Sequence, residues 1–264
     1  MARFAYAADL SGNVYRISGS TPNSPIGSTD PEFWKITKIA ALGGTGEDAR
    51  KFMFGPDVVN DNGTYVLLLG SGDREKPINF YDDAAAVKNY FFMLKDRPTE
   101  STWLSSEKET CSGEFLCKGS LYDINSTATP PQDALDLKKG WYLRLSATEQ
   151  VVTSALTIFG NVTFSTHRPR PTDTTSCTPN LGDARVYNIN FKNAEGKNGE
   201  RYAELVGDGL PPSPVAGLVK LDGDGPTVPF CIGCGSSSSL EGGEPPAPPI
   251  AVQPKARVFW NIEK

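Results

Sequence analysis

Apolar and polar positions along this chain repeat with a period of two, in short runs punctuated by Gly, Asn, Asp and Pro. Tyr6–Ala8 and Val14–Ile17 flank a turn made of Asp9, Ser11, Gly12 and Asn13. That arrangement predicts two adjacent antiparallel strands, because Gly and Asn tolerate the positive φ of a tight hairpin. Phe33–Leu42 alternates as a half-buried outer strand, with Trp34, Ile36 and Lys38 on one side and Lys35, Thr37 and Ile39 on the other. Met53–Val59 and Thr64–Gly70 are joined by Asn60-Asp61-Asn62-Gly63, a strong hairpin signal. The second of these runs, and Asn89–Leu94 after it, are apolar without alternation, which predicts strands covered on both faces. Alternation resumes at Gly140–Leu145. Strands are then expected at Glu149–Phe159 and Asn161–Ser165 around Gly160-Asn161, and at Ala184–Phe191. Pro211–Lys220 and Val228–Ile232 are expected to pair through Asp222-Gly223-Asp224-Gly225, and Ala256–Ile262 reads as the last strand. No long amphipathic helix is present. The class is all-β.

The segments between these runs are of a different character. Gly19–Glu32 is a Ser/Pro/Asn connector, and 96–139 has little periodicity and reads as a loop insertion with a helical turn near Ala134–Lys139. A Ser/Gly/Pro-rich linker, 235–255, precedes the last strand and is expected to be extended over its second half. Strand clusters begin near Tyr6, Met53, Gln150 and Pro214. Degenerate repeats of short antiparallel sheets are the signature of a β-propeller, in which each blade buries its faces only against its neighbours. The expectation is one region over 1–264: a partial or small propeller of about four antiparallel blades. A β-sandwich explains the same strand count.

Composition adds constraints. The 26 Gly and 21 Pro suit a turn-rich β protein. A formal net charge of −5 without a basic run argues against nucleic acid as a partner. No apolar stretch reaches membrane-spanning length, and Met1-Ala2-Arg3-Phe4 lacks the profile of a signal peptide. Five cysteines favour an oxidising compartment. A local bridge between Cys111 and Cys117 is geometrically easy. Cys177 is left to pair with Cys231 or Cys234 with one thiol free; a set of unpaired thiols is the alternative.

Candidate chemistry is thin. Asp222 and Asp224 offer carboxylates to calcium, but no third acid follows at the expected spacing, so a plain turn is the better reading. Asp9 with Asn13 reads as a turn for the same reason. Cys231-Ile-Gly-Cys234 has the spacing of a redox pair but lacks the helix that would lower a thiol pKa. Zinc on Cys111, Cys117, Cys231 and Cys234 is disfavoured by the wide first spacing, and structural disulfides fit better. Asp73 and Glu75 in S-G-D-R-E-K-P are an acid/base pair on an enzymatic reading; the alternative is a solvated loop whose Asp73 and Arg74 pair with the next blade. His167 has no nucleophile motif to serve. Trp34, Trp103 and Trp260 serve either blade packing or a partner.

Several stretches in fixed order carry a resemblance: Y-A-A-D-L-S-G-N-V-Y-R-I, K-F-M-F-G-P-D-V-V, L-L-G-S-G-D-R-E-K-P, G-W-Y-L-R-L, T-F-S-T-H-R-P, D-A-R-V-Y-N-I-N-F and L-P-P-S-P-V-A-G-L-V. Together they resemble the C-terminal region of the PilY family, bacterial proteins of type IV pilus assembly and the pilus tip. The resemblance implies a propeller and a place in the cell envelope: periplasm, outer surface or pilus tip. It also implies a non-enzymatic role in pilus assembly, tip capping, surface attachment and twitching motility. Minor pilins and the pilus tip complex, or a host or abiotic surface, are the implied partners. A calcium loop stands directly before the first motif in that family. Here Met1–Phe4 occupy the position, so no cofactor or metal is expected in this chain, which reads as a fragment beginning just after the loop. The reading from another class is a quinoprotein-like propeller enzyme of the envelope, for which the required cofactor centre is not evident.

Overall fold

The computed structural model describes residues 2–75, 86–170, 181–196, 199–206, 209–220, 227–235 and 242–243. Among these residues the strands form four sheets that follow one another along the chain. The first holds β1 (Ala5–Ala8), β2 (Asn13–Ser18) and β3 (Lys35–Ala41) in that order. The second holds β4 (Asp57–Asp61), β5 (Thr64–Gly70), β6 (Tyr90–Asp96), β7 (Tyr122–Ile124) and β8 (Gly140–Arg144), in the order β4-β5-β6-β8-β7. The third joins β10 (Leu156–Ile158), β11 (Asn161–Arg168), β12 (Asp183–Asn190) and β13 (Tyr202–Glu204), with β9 (Gln150–Val151) also on β11. The fourth is β14 (Val215–Lys220), β15 (Thr227–Ile232) and β16 (Gly242–Gly243). Every strand pair is antiparallel except β7 with β8.

Turn chemistry sets the registers. At the first hairpin, the Asp9 carboxylate accepts from the Ser11 and Asn13 backbone N–H groups at 2.9 and 2.8 Å. Gly12 takes φ +76°, and a Cβ there would lie 2.5 Å from Gly43 Cα, so this turn seats directly on the chain leaving β3. Between β4 and β5, Asn62 and Gly63 both have positive φ (53° and 87°), as a tight hairpin turn requires.

The second sheet lies between its neighbours and buries both faces. Leu67, Leu69, Phe92 and Leu94 pack with Val14, Ile39 and Ala40 of the first sheet. Val66, Leu68, Phe91 and Trp141 pack with Val162, Phe164, Tyr187 and Ile189 of the third. Phe91 stacks on Phe164 at 3.8 Å, and Phe164 on Tyr187 at 4.7 Å. This two-sided burial is why Tyr65–Leu69 is apolar at successive positions.

Several expectations need correction. The run expected at Glu149–Phe159 is two strands, β9 and β10: the Val152 N–H still donates to the Ser165 carbonyl at 3.1 Å, but the Ser165 N–H turns to Thr153 Oγ1 at 2.8 Å, and ladder pairing with β11 resumes only at Leu156. The Met53–Val59 strand starts only at Asp57, after Gly55-Pro56. The insertion at 96–139 is more than loop: it supplies β7, short helices at Thr102–Ser105 and Lys108–Cys111, and a third at Gln132–Asp136 that starts before the expected turn. Within 235–255, Gly242–Gly243 pairs with Cys231–Ile232 as β16, so that tract is not wholly a linker. β14 and β15 pair as expected, from Val215↔Ile232 to Lys220↔Thr227. Their connection with Asp222 and Asp224, and the expected strand Ala256–Ile262 with Trp260, lie outside the described residues.

Candidate functional site

The candidate residues are scattered and mostly structural. Both carboxylate oxygens of Asp9 are taken by donors of its own turn, including Asn13 Nδ2 at 3.0 Å and the Tyr15 hydroxyl at 3.0 Å. Partial burial acts to raise the Asp9 pKa, but these hydrogen bonds hold the carboxyl below its usual range. Asp73 is buried, not solvated: Lys51 Nζ donates to it at 2.6 Å, while its own N–H donates to Gln150 Oε1 at 2.6 Å. Arg74 donates to the Val152 carbonyl, so this loop does tie the second sheet to the third. The Glu75 N–H donates to Asp73 Oδ1 at 3.2 Å.

His167 is fully buried on β11, with Nε2 at 2.5 Å from the Leu181 carbonyl. A carbonyl only accepts, so Nε2 carries the proton. Cys111 is bonded to Cys117 and Cys231 to Cys234, with Cα separations of 5.6 and 5.7 Å. Cys177 lies outside the described residues. Cys231 and Cys234 are both buried, unlike the accessible thiols of a redox site. Among the described residues no group of three His, Cys, Asp or Glu side chains stands close enough to hold a metal ion.

Sequence reasoning missed the buried charges. Arg16 Nη1 donates to both oxygens of Asp96 at 2.7 Å, and the Tyr6 hydroxyl donates to Asp96 Oδ2 at 2.9 Å, linking the first sheet to the second. Burial, with the Asp96 carboxylate beside it, drives the Tyr6 phenol pKa far above its ordinary value. Inside the third sheet, Glu149 accepts from Arg185 Nη1 at 3.0 Å, the Tyr187 hydroxyl at 2.9 Å and Thr166 Oγ1 at 2.5 Å. Glu107 accepts from Ser120 Oγ at 2.5 Å and pairs with Lys139 at 2.9 Å. The signal was present: Arg16 alternates with the buried Val14 and Ser18, and Arg185 stands two residues before the buried Tyr187. A buried charge at such a position needs a buried partner.

Among the described residues, clefts open at two places on the surface. One of about 350 Å³ is lined by Val87, Lys88, Tyr90, Arg144 and Thr148. The other, about 230 Å³, is lined by Asp61, Lys95, Arg97, Asp136 and Lys192. Their cations are engaged: Lys88 with Glu47, Arg144 with Asp123, Lys192 with Asp61. Burial, with Asp123 beside it, pushes the neighbouring Tyr142 phenol up to about 12. Trp103 is packing, its Nε1 donating to the Lys95 carbonyl at 2.9 Å between the cations of Arg97 and Lys139. Phe33 and Trp34, on the outer margin of the first sheet, are exposed.

Four successive sheets, with the middle ones packed face to face and no closed barrel, define an all-β, propeller-like architecture. No family model and no curated protein matches the chain. Among solved structures it is similar to the C-terminal domain of PilY1 from Pseudomonas aeruginosa, with a TM-score of 0.54 and 15% identity. The match covers 92% of this chain and 58% of that one. The two share a fold, as the resemblance in the sequence implied.

Proposed function

We propose that this chain is a non-enzymatic scaffold of the bacterial cell envelope that works in type IV pilus assembly and at the pilus tip. The observation that carries the reading is the likeness to the PilY1 C-terminal domain over 92% of the chain. The buried Arg16–Asp96 pair, which braces the first sheet against the second, suits a scaffold. Minor pilins are the proposed partners, with surface attachment and twitching motility depending on the complex. The test is to incubate the purified 264-residue chain with minor pilins and measure complex formation, alongside piliation and twitching of a deletion strain. Complex formation and loss of piliation are expected. Unchanged piliation with no binding would overturn the reading, and dehydrogenase turnover with a bound quinone would replace it.

A further inference from the structure

The margin of the first sheet stands apart from the rest of the surface. β3 is the edge of the order β1-β2-β3. Among the described residues only its C-terminal end is met from outside, where Ala41 N donates to the Leu116 carbonyl and Leu116 N to the Ile39 carbonyl, both at 2.8 Å. From Lys35 to Lys38 the far side of the strand has no described partner. A bare row of strand N–H and C=O groups is a template for another strand.

The side chains along this edge are apolar and basic. Phe33, Trp34 and Ile36 are 56%, 39% and 71% exposed, within four consecutive residues. Trp34 is held in place by its Nε1, which donates to the Thr29 carbonyl at 3.0 Å. Lys35 and Lys38 are exposed, and neither enters the lysine ion pairs among the described residues, which use Lys51, Lys88, Lys139 and Lys192. Lys38 instead lies over the Phe115 ring at 5.7 Å. Two uncompensated lysines on an edge disfavour pairing with the same edge of a second copy, since like charges across strands repel. They favour a strand that brings carboxylates.

We propose that Phe33–Lys38 is a docking edge for an extended segment of a partner protein that combines acidic side chains with an apolar one. The segment pairs its backbone with β3, sets one carboxylate against Lys35 on one face and another against Lys38 on the opposite face, and covers Ile36, which shares the Lys38 face. This deepens the assembly reading above and rests on it for the kind of partner, though not for the surface.

The test uses the full chain and two synthetic peptides, one repeating Glu-Thr-Val and the other Lys-Thr-Val, so that charged residues three apart fall on both faces, opposite Lys35 and Lys38, with valine opposite Ile36. Anisotropy of labelled peptide gives binding, and amide hydrogen exchange maps it. The glutamate peptide is expected to bind about tenfold more tightly than the lysine peptide, the worth of two modest charge pairs, and to slow exchange over residues 35–38. A Lys35→Glu/Lys38→Glu variant, which alters only exposed side chains, should reverse the preference. Equal binding of both peptides overturns the proposal, as does binding without protection at 35–38. Slow exchange at 35–38 in the free chain also overturns it, since the edge is then already filled by the chain itself or by a second copy. Minor pilins serve as the separate arm. If they bind the wild-type chain and the charge-reversed variant equally, the docking edge fails and the pilus reading stands. If the glutamate peptide docks and minor pilins do not bind, the pilus reading fails and the edge stands.

Discussion

Glu149 and Arg185 are the most demanding pair of residues in the third sheet. The side chain of Glu149 has no exposed surface and that of Arg185 is nearly covered. Removing one charge leaves the other in a low-dielectric interior, which costs more than the pair itself contributes. Arg185→Met is expected to lower unfolding free energy by about 3–5 kcal/mol, read from urea denaturation. Combining it with Glu149→Gln should recover part of that loss. A single variant as stable as wild type would mean that water reaches the carboxylate. Phe164, between Phe91 and Tyr187, is the apolar counterpart: Phe164→Ala should cost about 3–5 kcal/mol through lost burial and the cavity left behind.

At the scale of the element, strands were legible wherever the local pattern and the final burial agree. The first two hairpins could be read because Gly12, Asn62 and Gly63 take positive φ values that their residue types tolerate. β7 could not. Its three residues are a strand only because the insertion folds back and lays Tyr122–Ile124 parallel to β8, a non-local pairing that leaves no period in sequence. β9 and β10 look like one strand in the sequence because no Gly, Pro, Asn or Asp stands between them; the break is set by Thr153, whose side chain rather than backbone meets Ser165. Of the candidate sites, the turn at Asp9 was legible, whereas the bracing roles of Asp73, Glu107 and Glu149 depended on partners far away in sequence. The Cys111–Cys117 bridge closes a short loop beside the Leu116–Ala40 contact. Cys111→Ser/Cys117→Ser is therefore expected to cost about 2 kcal/mol, with early hydrogen exchange at Leu116. Unchanged exchange there would show that strand contacts alone hold the segment.

For the whole molecule, acid is the expected weakness. Hydrogen bonding from Arg144 holds the Asp123 carboxyl below its usual range. Hydrogen bonding from Arg170 does the same for Asp183. Glu107 is pushed up by burial but lowered further by Ser120 and Lys139. Each group binds its proton less readily folded than unfolded. The stabilisation is therefore full above the ordinary carboxylate pKa, about 4, and is lost as pH falls through the depressed folded values. The urea midpoint should drop steeply below about pH 4, and Glu107→Gln should flatten part of the drop. A midpoint independent of pH in that window would show that these pairs do not distinguish folded from unfolded chain.

The doubly covered second sheet has a consequence for how the protein is made. A chain emerging from the ribosome completes β4, β5 and β6 well before the residues of β11 and β12 exist. Until those strands arrive, Val66, Leu68, Phe91 and Trp141 form an oily wall open to water and to other nascent chains. Synthesis therefore passes through a sticky stage that ends only once the chain has been translated through Asn190, the end of β12. A holdase acting on this wall before Asn190 appears would protect the chain more than one acting on any later surface.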